Sequence, residues 1–127
     1  MTDLLASSAS WLADRRKAHA ASAVTYARGA SDVEIVATRG RTDYPSEDMQ
    51  GVIIESRAID WIVNADDLVI GGLPVEPAAG DRIKLIVGTK RRNYEVMQIP
   101  GQGAWRYCSE HRKSLRIHTR FIGEDNL

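Results

Sequence analysis

The stretch Pro77–Val96, PAAGDRIKLIVGTKRRNYEV, decides how the chain is read. Gly80-Asp81 supplies turn chemistry at its start, because glycine tolerates backbone angles other residues avoid and Asp bonds its own backbone. Ile83, Leu85 and Val87 then recur two apart on one face of the run Arg82–Val87, and Tyr94 and Val96 answer them after an interruption at Gly88–Arg92. Period-two alternation on both sides of a Gly-bearing break predicts a β-hairpin with one buried face. Lys90-Arg91-Arg92 falls in the predicted loop, either as a solvated tip or as a contact for phosphate or a partner.

The same period extends in both directions. Val24 and Tyr26, then Val33, Ile35 and Ala37, predict a hairpin turning at Gly29–Asp32. Residues 52–64 predict a strand, with a bulge near Arg57-Ala58 where the alternation slips before Trp61 and Val63. Asp66-Asp67 opens a short turn segment that ends at Gly71-Gly72. The chain closes on a strand with Leu115, Ile117, Thr119 and Phe121 inward and Arg116, His118 and Arg120 outward. Residues 40–51 lack periodicity and carry Pro45, so they predict a loop; residues 100–114 predict another, holding Trp105.

The N-terminus has a different period. Leu4, Leu5, Trp11 and Leu12 recur at helical spacing behind a Thr2 or Asp3 cap, which predicts a helix over 1–22. The expected fold is mainly β: a small antiparallel barrel or sandwich of about six strands over 23–123, preceded by one N-terminal α-helix. At 127 residues one domain is expected. No apolar run reaches the roughly 18 residues of a membrane helix. The start of the chain lacks a basic leader and does not read as a secretory signal. The single Cys forms no internal disulfide, which suits a reducing cytoplasm.

Charge is zero overall but unevenly spread: +1 over residues 1–40, −6 over 41–76 and +5 over 77–127. Such polarity suits either pairing within one subunit or unlike surfaces meeting between copies, as in a ring. The acidic interface candidates are Glu47, Asp48, Asp66 and Asp67. The basic candidates for a partner or for DNA are Lys90, Arg91, Arg92, Arg112 and Lys113. Leu4, Trp11 and Leu12 form a candidate helix docking face.

Catalytic chemistry finds little support. Cys108, His111 and His118 supply too few soft ligands for a structural zinc site, which needs four. No third group marks Cys108–His111 as a nucleophile pair. Adjacent carboxylates such as Asp66-Asp67 point to opposite faces if extended. Gly101-Gln102-Gly103 lacks the rest of a phosphate loop. No cofactor and no catalytic residue is expected.

A wider pattern joins these pieces: Asp66-Asp67-Leu68, Gly71-Gly72, Pro77-x2-Gly80-Asp81-Arg82-Ile83, Tyr94-Glu95-Val96, Trp105-Arg106-Tyr107 and Leu115-Arg116-Ile117-His118-Thr119. Over residues 58–122 this resembles the small head–tail joining (neck, stopper or connector) proteins of tailed bacteriophages and prophages. The resemblance implies a non-enzymatic virion protein, made in the bacterial cytoplasm, with no membrane. It implies a homo-oligomeric ring between portal and tail, around a channel through which DNA passes without sequence readout. A tail terminator or completion protein and a small nucleic-acid-binding β-barrel are the alternatives.

Overall fold

The structure, a computed structural model, describes residues 21–108 and 113–127. The elements are strands β1 (Ala21–Arg28), β2 (Ser31–Glu47) and β3 (Ile53–Asn64), a 3-10 turn (Ala65–Asp67), and strands β4 (Val69–Ile70), β5 (Leu73–Pro74), β6 (Arg82–Val87), β7 (Lys90–Val96), β8 (Trp105–Tyr107) and β9 (Ser114–Asn126). Seven strands form one sheet in the order β3-β2-β1-β6-β7-β9-β8, and β4 and β5 form a separate two-stranded ribbon. β3 also pairs with β9, so the hydrogen-bonded order β3-β2-β1-β6-β7-β9 returns to β3. Every strand pairing is antiparallel.

Alternation explains why this sequence makes these strands. Val24 and Tyr26, Ile35 and Ala37, Trp61 and Val63, Ile83, Tyr94 and Val96, and Leu115 and Ile117 lie two apart on their strands and are buried together. Trp61 meets Tyr94 edge to face at a centroid distance of 5.1 Å, the arrangement that ring quadrupoles favour. Leu68, carried in after the 3-10 turn, is fully buried in the same cluster.

Several expectations need correction. Of the helix predicted over 1–22, residues 1–20 lie outside the described residues, but Ala21 and Ser22 belong to β1. The expected loop at 40–51 is mostly strand: β2 runs to Glu47 and pairs residue by residue with β3 down to Ile53. Beyond Thr38 β2 has left β1, and before Ile59 β3 has not yet met β9. Thr42–Glu47 and Ile53–Ala58 therefore form a two-stranded arm, about 20 Å long at ~3.3 Å per residue. An arm with no core beneath it needs no apolar face, so its sequence lacks alternation. Pro45 fits here because alternation along the antiparallel pair points its nitrogen to the open edge, where no N–H is required.

No bulge interrupts β3, whose register with β2 is continuous. The slip at Arg57-Ala58 instead reflects burial on both faces, since Ala58 and Asp60 are as buried as Trp61 and Val63. The irregularity lies elsewhere: β7 shifts register on β9 at Asn93/Tyr94, where Gly123 and Phe121 are consecutive partners. Trp105 belongs to β8 and not to a loop, paired with Ile117.

Candidate functional site: an acidic arm and a basic hairpin

The Gly80-Asp81 turn is where the basic hairpin is fixed to the sheet. Gly80 sits at φ +94°, the left-handed region that disfavours a Cβ. Behind it, Asp81 accepts from the Tyr26 hydroxyl, from Arg28 Nε and Nη2 (2.9 Å for the latter) and from the Ala78 N–H at 3.1 Å. Burial pushes the Asp81 carboxyl up, yet the hydrogen bonds from Arg28, Tyr26 and Ala78 outweigh it and hold the group below the ordinary carboxylate range. The same burial, with the bond to Asp81, pushes the Tyr26 phenol well up. Asp81 thus joins β1 to β6 across 55 residues of sequence.

The hairpin's turn is only Gly88-Thr89, so Lys90, Arg91 and Arg92 are not at its tip; they open β7. Two residues close the turn tightly enough to keep the ladder running, and this pairing makes strand of the basic run. Arg91 Nε lies 3.4 Å from Asp125 Oδ1 on β9, near enough for an ion pair but not aligned as a hydrogen bond. The Arg92 guanidinium stands 4.8 Å over the Phe121 ring and 5.9 Å over Tyr94, a cation–π placement. Lys90 is exposed at the strand start, and Leu127 N–H donates to Thr89 at 3.0 Å, bringing the end of β9 beside the turn. Val87, expected inside, is 51% exposed because the hairpin has run past the core by that point.

Glu47 and Asp48 stand at the far end of the β2–β3 arm. Asp48 Oδ1 accepts from the N–H groups of Gln50 and Val52, both at 2.9 Å, so its role there is to shape the turn. Glu47 is exposed. Asp43 is held by Arg57 across the arm at 3.0 Å. Four large apolar side chains crowd the same end: Met49, Val52, Ile53 and Ile54, of which Ile53 is 72% exposed. Asp66 and Asp67 lie in the 3-10 turn that follows β3, at the opposite end of that 12-residue strand from Ile53, the partner of Glu47, so the four acidic candidates do not form one patch. Lys113 is exposed just before β9, whereas Arg112 and the helix face Leu4, Trp11 and Leu12 lie outside the described residues.

His118 is the residue that sequence reasoning misplaced most. Expected outward, it is fully buried, and its Nδ1 donates to Asp60 Oδ1 at 2.8 Å. Asp60 also accepts from Arg116 Nη1 at 3.0 Å and from the Thr42 hydroxyl. Burial raises the Asp60 carboxyl, but these bonds, His118 first, carry it below the usual range. The cluster ties the root of the arm, at Thr42, to β3 and β9. With His118 so engaged and Cys108 exposed, no group of three metal-ligating side chains forms among the described residues.

The sequence matches the family described as phage head-tail joining protein over residues 2–126, nearly the whole chain. The chain belongs to that family. No individually curated protein matches it. As a head-tail joining protein it is a structural component of a phage virion at the head–tail junction, where it works with other head and tail proteins. The family is generally non-enzymatic. No helix among the described residues of this joining protein is long and apolar enough to cross a membrane.

Proposed function

We propose that this head-tail joining protein acts as one subunit of a homo-oligomeric ring between portal and tail, surrounding the channel through which DNA leaves. The closed circuit of strand pairings supplies the rigid body of the subunit, as a small barrel within a single domain. The observation that carries the reading is charge separation along the fold. The acidic stretch 41–76, net −6, supplies the β2–β3 arm, and the basic stretch 77–127, net +5, supplies β6, β7 and β9. Unlike surfaces on one subunit favour heterologous contacts, which close into rings when the rotation permits. DNA in the channel would meet side chains without base readout.

Electron microscopy of head–tail particles tests this reading. A symmetric ring of this chain at the portal–tail boundary is the expected image. A protein that remains monomeric and fails to co-sediment with portal or tail rings refutes it.

A further inference from the structure

The β1–β6 pairing covers only Thr25–Ala27 with Arg82–Lys84. Above it the two strands part, leaving a cleft of about 520 Å³ lined by Val24, Glu34, Lys84, Leu85, Ile86 and Val87 among others, with Lys84 its one basic and Glu34 its one acidic side chain. Ala21–Val24 and Leu85–Val87 have no strand partner across it among the described residues. Two open strand edges facing one another are a template for an inserted strand. Ile86 and Val87, on the β6 side of the cleft, are 60% and 51% exposed.

The arm is the matching piece. Residues 43–55 carry four acidic side chains and no basic one; residues 84–92 carry four basic and no acidic one. Some of these charges are already used, Asp43 by Arg57 and Arg91 by Asp125. Glu47, Glu55, Lys84 and Lys90 form no ion pair among the described residues, so they remain to meet one another. Apolar exposure is also concentrated there, with Met49 and Ile53 at 104% and 72% on the arm. The edge of β3 at Ile53–Ala58 has no second strand neighbour among the described residues. Position agrees as well. Ala21 pairs with Thr38 and Thr25 with Lys84, so Gly88 is level with Thr38. Arm and cleft leave the same end of the sheet on either side of β1, which suits a ring, where donor and acceptor must meet at one height.

We infer that the acidic hairpin arm of one copy docks into the cleft between β1 and β6 of a second copy, placing Ile53 and Ile54 against Ile86 and Val87. This rests on the ring reading and names the surfaces that would build it. Complementary charge fixes partner and register, while apolar burial and the added strand hold the contact.

The test uses full-length chain in a Cys108→Ser background. One population carries Ile53→Cys, the other Val87→Cys with a tag that changes its mass. The two are mixed, concentrated or assembled on head–tail particles, and oxidised. The expected product is a mixed-mass disulfide dimer in several-fold excess over either same-variant dimer. Predominant Ile53→Cys self-dimers, or no mixed dimer in either setting, overturn the inference. So does preferential cross-linking of Val87→Cys to Trp11→Cys of its own chain, which would make the N-terminal segment the occupant. Charge reversal gives a second readout. Glu47→Lys with Glu55→Lys should weaken self-association at least tenfold with an unchanged circular dichroism spectrum, and Lys84→Glu with Lys90→Glu in the partner population should restore it. A ring seen by microscopy without the mixed disulfide discards this interface but keeps the ring; absence of any oligomer discards both.

Discussion

His118 Nδ1 lies 2.8 Å from Asp60 Oδ1, and neither side chain is exposed at all. A charge taken out of water this completely is tolerable only while its partners stay in place. Asp60→Asn keeps the shape but removes the anion that His118, Arg116 and Thr42 all face. The expected cost is about 3 kcal/mol of unfolding free energy, the lower end for breaking a buried pair. Urea titration of the variant against the parent measures it, and a difference near zero would show that the cluster is not a structural anchor.

Acid should weaken the fold through both buried carboxylates. Asp60 and Asp81 are held below their ordinary values in the folded chain, whereas in the unfolded chain an aspartate titrates near ~3.9. Between the two values the unfolded state binds more protons, so stability rises with pH there. Their contribution is complete above about pH 5 and is lost as pH falls through the unfolded and then the folded values. Chemical unfolding measured from pH 7 down to pH 3 should show this acid limb, and Asp81→Asn should flatten it. A parent whose stability is constant down to pH 3 contradicts the assignment.

Tyr26→Phe removes the hydroxyl that donates to Asp81 and keeps the ring in the core. The bond is to a charged acceptor, so its loss should cost about 1.5–3 kcal/mol. Arg28 and the Ala78 N–H remain on Asp81, which places the value toward the lower figure. In a double-mutant cycle with Arg28→Met the two effects should not add, because both act through the same carboxylate.

What was legible in the sequence was whatever packs on the core with period two. Tyr94, Val96, Leu115, Ile117 and Thr119 were readable by alternation, and the Gly80-Asp81 turn by its residue types. The second half of β2 was not, because the arm has no buried face to impose a pattern. Asp60 and His118 hid for the opposite reason. Both faces of β3 and β9 are buried there, so alternation breaks at Ala58, which in local terms alone predicts a bulge. Their partnership spans 58 residues, beyond the reach of spacing rules. Lys90–Arg92 is strand and not loop, and the pair Gly88-Thr89, flanked by runs of matching length, is the sequence signal for the two-residue turn.

Arg92→Lys tests whether the basic run is held by the sheet. A planar guanidinium stacks on Phe121 and Tyr94 in a way that a lysine ammonium does not reproduce. About 0.5–1 kcal/mol should be lost in Arg92→Lys, while Lys90→Gln, with no ion-pair partner among the described residues, should leave unfolding unchanged. Equal effects would mean that the rings contribute nothing to holding Arg92.

Tyr94→Phe should stabilise the protein, an unusual direction for a change at a fully buried position. The Tyr94 ring packs edge to face on Trp61 and Phe121, but its hydroxyl is buried without a hydrogen-bond partner among the described residues. A polar group in that position loses its bonds to water and regains none, a penalty of about 1–3 kcal/mol. Phenylalanine keeps both ring contacts and removes the penalty, leaving only a small void where the oxygen was. The expected gain is about 1 kcal/mol after that void is counted, read as a higher midpoint in denaturant with an unchanged slope. A loss of stability instead would show that the hydroxyl is satisfied, and that the interior beside Trp61 is more polar than its lining suggests.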